Sequence, residues 1–293
     1  MNHRDLDQRV IDLYDEFTHG TMGRRAFFDR MARLTGGAAA ASAVITALTS
    51  DYARAQTVAE GDPRIAAETV QIPGVQGLTG YLVTAKAGGR APAVIVIHAN
   101  RGINPHIKDV ARRLGTEGFT ALAVDYLGPI GGTPADEDKA REMFGTLKAP
   151  DVLASSRAAL AFLKSHPRGN GKVGVVGFCW GGGQVNALAV ADPALDAAVP
   201  YYGPQPAAGQ VTSIQAPLLL HYAGNDAGIN AGIAAYEAAL KAAGKRYELH
   251  VYPGVQHAFS DDTGARYDKA AADLAWSRTL AFLRANLGPM GRS

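Results

Sequence analysis

The amino-acid sequence predicts an α/β fold in which a mostly parallel central sheet is covered by helices on both faces. Apolar segments of strand length alternate with helix-like segments along most of the chain. The segment 172–178 alternates small and β-branched apolar residues, as expected of a strand buried on both faces. A glycine-rich turn and a helix-like run at 184–191 follow it, and we expect this unit to lie at the centre of the sheet.

The same patterns place the other elements in chain order. Two short strands at 69–72 and 78–84, separated by Pro73-Gly74, are predicted to form an antiparallel opening pair. Five further strands are predicted at 93–98, 120–125, 197–202, 218–222 and 247–252. Helices are predicted at 105–117, 136–147, 151–165, 229–243 and 268–287, the third beginning after Pro150 with Asp151 as its cap. No repeat or linker interrupts this series, which indicates one domain over residues 56–293.

Residues 1–55 have the pattern of an export signal. Helix-like apolar spacing at 10–17 precedes the pair Arg24-Arg25, which is similar to the twin-arginine signature. A weakly apolar run and the cleavage pattern Ala53-Arg54-Ala55 follow. We therefore predict recognition by the twin-arginine export machinery and a periplasmic or secreted mature chain that begins at Gln56 and has no membrane span. The alternative is an amphipathic N-terminal extension that stays on the protein.

Composition argues against several classes of function. Of the 293 residues, 47% are hydrophobic and 19% are charged, and the net charge of +2 gives no indication of a nucleic-acid partner. The single cysteine, Cys179, excludes a disulfide within the chain, and no zinc-spaced Cys/His cluster is present. We expect no metal and no cofactor, and a small molecule as the substrate.

The turn after the central strand reads Gly177-Phe178-Cys179-Trp180-Gly181. A strand, a G-x-nucleophile-x-G turn and a helix are typical of the α/β-hydrolases, here with cysteine in place of serine. Glycines flank the nucleophile because a strained turn leaves no room for side chains on either side. The start of the helix favours thiolate. The alternative is a buried cysteine without a catalytic role.

Two other reactive residues follow strands and therefore fall on the same rim as Cys179. Asp226 comes after the strand at 218–222, and His257 comes after the strand at 247–252. The order nucleophile, acid, histidine is that of the α/β-hydrolases. Histidine is needed to take the thiol proton, and a carboxylate is needed to orient the ring. Asp125, Asp261 and Asp262 are weaker candidates for the acid.

The chain resembles the dienelactone hydrolases, cysteine members of the α/β-hydrolase fold. The segments that carry the resemblance are VIVIHANRGIN, GKVGVVGFCWGG, VPYYG, LLLHYAGNDAGIN and GVQHAFSDDTGARYD. It implies a Cys179–His257–Asp226 triad that hydrolyses a lactone or ester through an acyl-enzyme. It also implies an oxyanion hole formed by the backbone N–H groups of Trp180 and Asn100. We predict that the substrate pocket is lined by Arg101, Tyr126, Tyr201, Tyr202 and Phe259, with His98 in the pocket or directly behind it.

Two positions depart from the family pattern. Ala99 stands where the family usually has a glutamate that controls the resting thiol, and Asp261 stands where well-studied members have an arginine for the substrate carboxylate. Three candidate arginines could replace the latter: Arg101, Arg141 and Arg266. Both changes are compatible with a hydrolase, but the substrate for which the family is named cannot be assigned to this chain. A general carboxylesterase and a catalytically silent binding protein with this fold are the alternatives.

Overall fold

An eight-stranded sheet forms the centre of the protein, described by a computed structural model over residues 7–20, 22–54 and 56–288. Ala55, the last residue of the predicted signal, lies outside these ranges. The order of the strands across the sheet is β1-β2-β4-β3-β5-β6-β7-β8. β2 runs antiparallel to both of its neighbours, β1 and β4, and the other five pairs are parallel, so the prediction of a mostly parallel sheet is confirmed. The strands are β1 (Ile65–Gln71), β2 (Thr79–Ala85), β3 (Ala91–Ile97), β4 (Thr120–Asp125), β5 (Gly169–Phe178), β6 (Ala197–Tyr201), β7 (Leu218–Asn225) and β8 (Tyr247–Gln256).

The described residues form ten α-helices. The predicted cap of α6 is wrong: this helix starts at Ala149 with Pro150 in its first turn, where proline is tolerated, so Lys148 and not Asp151 stands at the cap position. The helix predicted at 229–243 is divided into α8 and α9. The helices are α1 (Gln8–His19), α2 (Arg24–Thr35), α3 (Ala38–Leu48), α4 (Pro105–Thr116), α5 (Glu137–Phe144), α6 (Ala149–Lys164), α7 (Trp180–Ala191), α8 (Ala227–Asn230), α9 (Ile233–Ala242) and α10 (Lys269–Leu287).

Two hydrophobic layers cover the two faces of the sheet. On one face, Val94 and Val96 of β3 belong to a core that includes apolar side chains of α4 and α10. On the other face, Ile95 and Ile97 of the same strand pack in a core with apolar side chains of α6, α7 and α9. Since successive side chains of a strand point to opposite faces, a fully apolar β3 supplies both layers. The carboxyl ends of the parallel strands are therefore left free to carry the site.

The three N-terminal helices form a small unit of their own. Apolar residues of α1, among them Val10, Leu13 and Phe17, pack against Phe27 and Met31 of α2 and against α3. The sequence predicts a domain that begins only at residue 56, whereas the structure packs this segment on the domain beside the strand ends. Whether it is removed as a signal stays a prediction. Arg24 and Arg25 lie exposed at the start of α2.

Among the described residues, no single helix has the length and apolar character needed to cross a membrane. α2 and α3 satisfy that test only when taken together, and the chain bends by 110° between them.

Candidate active site

Cys179 lies on a sharp turn between β5 and α7. Its φ of 57° and ψ of −117° are rare for a residue with a side chain, and they lift the sulfur above the end of the strand. A Cβ on Gly177 would lie 2.4 Å from the Gly181 carbonyl oxygen. A Cβ on Gly181 would lie 2.5 Å from the carbonyl oxygens of Ile97 and His98. Both glycines are therefore required by close approach of backbone to backbone.

His257 and Asp226 meet beside this turn. His257 follows β8, and its Nδ1 lies 2.6 Å from Oδ2 of Asp226, which comes directly after β7. The ring is 4% exposed. Asp226 also accepts a hydrogen bond from the N–H of Ile229 at 3.4 Å, which fixes the carboxylate at the start of α8. The other ring nitrogen, Nε2, takes no part in this contact, and Cys179 interacts electrostatically with the ring.

The charges around His257 favour a protonated ring. Burial lowers its pKa, but negative charge on the neighbouring Cys179 and the hydrogen bond to Asp226 outweigh burial and raise the pKa to about 10. A proton on His257 and a negative charge on Cys179 stabilise each other, and the start of α7 adds a favourable dipole at the sulfur. This arrangement suits a nucleophilic sulfur with a histidine that gives and takes its proton.

A cavity of about 450 Å³ opens above these three residues. Of the predicted pocket and oxyanion residues, Asn100, Trp180 and Tyr202 line it. Among the described residues, the backbone N–H groups of Trp180 and Asn100 donate to no protein acceptor, and both belong to the cavity wall. The remaining lining residues are Asp12, Asp15, Cys179, Pro204, Asn225, Asp226, Ala227, Gly228, Ile229 and His257.

His98, expected in the pocket or directly behind it, does not line the cavity, because its ring is fully buried. Its Nδ1–H donates to the Ala99 carbonyl at 2.8 Å, and its Nε2 accepts the N–H of Tyr126 at 3.3 Å. Burial lowers the pKa of His98 to about 4, so the ring is neutral. It also stacks on Trp180 with ring centroids 5.7 Å apart. His98 thus holds both segments that carry the candidate oxyanion donors.

Three predicted aromatic pocket residues also lie in the core and do not line the cavity. Tyr126 bonds to Ser156 at 2.8 Å, and Tyr201 bonds to Thr279 at 2.7 Å. Phe259 is fully buried among other aromatic rings. All three residues lie near the ends of strands, but their side chains point into the hydrophobic layers under the edge of the sheet.

Arg101, predicted to line the pocket, is instead held by the N-terminal unit. Its Nη2 donates to the Tyr14 hydroxyl of α1 at 2.6 Å, and its Nη1 lies 3.1 Å from the Glu137 carboxylate. Arg141 donates to the Phe17 carbonyl of α1 at 3.2 Å and lies 4.3 Å above the centre of that ring. Neither side chain lines the catalytic cavity.

α1 also supplies cavity residues that the sequence interpretation missed. Asp12 and Asp15 line the cavity, and Asp15 forms an ion pair with Arg266, the third candidate arginine. The apolar spacing of α1 was visible in the sequence. Its partner surface was not, since Arg266 lies 251 residues further along the chain.

The alternative acids have other partners. Asp125 accepts three hydrogen bonds in the loop after β4, two from Thr133 and one from the N–H of Leu127. It therefore fixes that loop.

Asp261 and Asp262 belong to a second cluster, with ligand atoms of His106 and both carboxylates within 4.8 Å of one another. His106 Nδ1 lies 3.0 Å from Asp262, and Arg113 pairs with the same carboxylate. Because Arg113 already supplies positive charge there, the cluster serves as an ion-pair network between α4 and the loop after β8.

Comparison with known proteins gives consistent matches over the domain. The model of the dienelactone hydrolase family matches residues 78–287, and a model described as YqhI-like matches residues 1–36. A probable 2-oxo-3-(5-oxofuran-2-ylidene)propanoate lactonase from Bradyrhizobium sp is 34% identical over 71% of this chain and 89% of its own length. A putative carboxymethylenebutenolidase from Saccharolobus solfataricus is 34% identical over 66% of this chain and 88% of its own.

Among solved structures, a putative dienelactone hydrolase from Klebsiella pneumoniae matches with a TM-score of 0.68 and 30% identity. The match covers 74% of this chain and 98% of that one.

Proposed function

This chain belongs to the dienelactone hydrolase family, and from that premise we propose that it hydrolyses small lactones or carboxylic esters with Cys179 as nucleophile. The proposed partners of Cys179 are His257 as proton carrier and Asp226 as the group that orients it. The observation that carries the proposal is the 2.6 Å contact between His257 and Asp226 within the cavity that Cys179 shares. The names of the two relatives, a lactonase and a carboxymethylenebutenolidase, support the substrate class.

The first half of the proposed reaction makes an acyl-enzyme. The Cys179 thiolate attacks the carbonyl carbon, and the resulting oxyanion is held by the N–H groups of Trp180 and Asn100. Collapse of this intermediate breaks the bond to the leaving oxygen, which takes the proton from His257. In a lactone the ring opens and the new hydroxyl stays attached to the acyl group.

The second half releases the product. His257 takes a proton from water, and the hydroxide formed attacks the thioester carbon. The bond to sulfur then breaks, which yields the carboxylic acid and restores the thiolate beside a protonated ring. Asp226 keeps Nδ1 of His257 protonated throughout, so that Nε2 remains the nitrogen that exchanges protons.

The test is turnover by the full chain on a panel of lactones and p-nitrophenyl esters. Cys179→Ala is expected to abolish hydrolysis, and His257→Ala to do nearly as much damage, with the double variant little worse than either. Asp226→Asn should lower kcat by about 10² to 10⁴, because its role is orientation. Asp261→Asn is the matched control and should lower kcat far less.

Intact-mass measurement during turnover provides the second readout. An acyl adduct on the wild type that is missing from Cys179→Ala supports the covalent route. Comparable rates on lactones and simple esters would favour the general carboxylesterase. A chain with no turnover and no adduct on any substrate would instead be a silent binding protein.

A further inference from the structure

Helix α1 forms one wall of the catalytic cavity. Asp12 and Asp15 line it opposite Cys179, and reciprocal side-chain hydrogen bonds between Gln8 and Gln256 fasten the start of α1 to the histidine loop. At the other end of the helix, the Asn100 side chain donates to the Thr18 carbonyl. The helix therefore bridges the loop that carries His257 and the loop that carries one candidate oxyanion donor.

All three candidate arginines are engaged by this same helix. Arg101 donates to Tyr14 and Arg141 to the carbonyl of Phe17. Arg266 pairs with Asp15 and lies 5.4 Å above the ring of Tyr14. The side chain of Arg266 is only 13% exposed, so its charge is matched mainly by Asp15. A substrate carboxylate that approached Arg266 from the cavity would meet Asp15 first.

The charge that remains in the cavity is negative. Its described ionisable lining residues are Cys179, Tyr202, His257 and three aspartates, and no lysine or arginine is among them. Asp226 is matched by His257, and Asp15 is matched by Arg266. Asp12 is exposed at the rim, and its described side-chain partner is the neutral amide of Gln8. A cavity of this kind repels an anion and attracts a cation.

We propose that α1 forms part of the active site and determines which charge a substrate can carry. Asp15 occupies Arg266 and Asp12 adds negative charge, so the enzyme prefers uncharged or cationic esters and lactones over those that carry a carboxylate. This inference rests on the proposed hydrolase function. It identifies Asp12 and Asp15 as specificity-determining residues, and it makes the N-terminal segment the source of that specificity.

The experiment compares three phenyl acetates that carry a carboxylate, an uncharged methyl ester or a trimethylammonium group at the meta position. The wild type should have its lowest kcat/KM with the carboxylate compound. Asp15→Asn should raise the ratio of carboxylate to uncharged substrate by about tenfold, because it frees Arg266 to pair with the substrate. Asp12→Asn should lower the ratio of trimethylammonium to uncharged substrate by about threefold.

Dividing the kcat/KM of each variant by that of the wild type on the same ester removes the differences in intrinsic reactivity between the esters. Asp29→Asn, on the exposed face of α2, is the matched control and should leave all three values unchanged. In the double variant Asp15→Asn/Arg266→Gln, the gain on the carboxylate compound should disappear. That loss would assign the gain to the freed guanidinium and not to a looser cavity.

The possible outcomes separate this inference from the function on which it rests. Absence of turnover on every ester refutes the proposed hydrolase. Turnover with equal ratios in the wild type and both aspartate variants refutes the role of α1 while the hydrolase stands. A gain in Asp15→Asn that persists in the double variant also overturns it, because Arg266 would then not be the group released.

Discussion

Several local features of the structure act together on the sulfur of Cys179. The strained turn places it at the wall of the cavity, α7 begins directly after it, and the buried His257 gives it a positive neighbour. Ala99 offers no carboxylate that could hold the thiol proton in the resting enzyme. We therefore expect the proton to reside on His257 and Cys179 to rest as a thiolate.

A resting thiolate predicts fast alkylation in mildly acidic solution. Iodoacetamide should inactivate the free enzyme rapidly at pH 6, well below the value of about 8.5 for an ordinary cysteine. Because the pKa of His257 is raised to about 10, the ion pair should persist until the pH approaches that value. His257→Ala should slow labelling at pH 6 markedly, and the rate is followed by intact mass.

Ala99→Glu provides the matched variant for this prediction. A carboxylate at position 99 would offer the thiol proton a second site, so alkylation of the free enzyme should slow. Labelling that rises only above about pH 8, and that neither substitution changes, would show that the thiol rests neutral.

The sequence was informative about residues whose place depends on chain order, and less so about residues whose role depends on orientation. Cys179, Asp226 and His257 follow three parallel strands, so topology alone brings them to one edge. Tyr201 and Tyr202 are adjacent at the end of β6, yet only Tyr202 lines the cavity. Tyr202 has a positive φ of 35°, a local backbone conformation that strand periodicity does not predict.

At the scale of elements, the ion-pair network between α4 and the loop after β8 should give stability a characteristic pH dependence. Burial opposes both charges, but His106 and Arg113 outweigh it and lower the pKa of Asp262 to about 2. Burial likewise lowers the pKa of His106, and the adjacent carboxylates of Asp261 and Asp262 outweigh it and raise the pKa.

The two shifts have opposite signs. A lowered carboxylate pKa stabilises the fold above the unfolded value of about 3.9, and this stabilisation is lost as the pH falls towards 2. A raised histidine pKa stabilises the fold below the unfolded value of about 6.5, and this is lost as the pH rises through the folded value. The network therefore contributes most between these two limits.

Asp262→Asn should accordingly lower the free energy of unfolding by about 2 kcal/mol near pH 5.5. The loss should shrink towards pH 3 and at high pH, as measured by urea unfolding across the range. Asp273→Asn removes an exposed partner of Lys269 and serves as the control, with little or no change expected. Equal and pH-independent losses in the two variants would contradict the assignment.

Strands and helices with a strong hydrophobic periodicity could be predicted from the sequence, whereas the packing of the N-terminal unit could not. The strands β3, β4 and β5 are apolar throughout their central residues and could be placed to within a few residues. The helical spacing of α1 was equally visible, but an amphipathic helix does not reveal what covers its apolar side. Here α2 and α3 cover it, and its polar residues contact the distant histidine loop.

At the scale of the molecule, two predictions about residues 1–55 exclude each other. Cleavage after Ala55 during export would remove Asp12 and Asp15, whereas a role for α1 in the cavity requires that they stay. N-terminal sequencing of active enzyme recovered from the periplasm and the cytoplasm of the producing cell decides between them. An active form that begins at Gln56 would establish cleavage, and an intact Met1 on all active enzyme would exclude it.

The docking of α1 also has a consequence for the order of folding. Proteins emerge from the ribosome with the N-terminus first, yet Gln256 and Arg266 follow their α1 partners by 248 and 251 residues. Contacts across such separations carry a large loop-closure cost and form late. Until the chain has been synthesised past Arg266, α1 has no histidine loop to rest on, and before residue 257 the proposed nucleophile Cys179 lacks its proposed base. A nascent chain thus carries that cysteine for some eighty residues before His257 exists, and we expect the contacts between α1 and the histidine loop to be among the last to form.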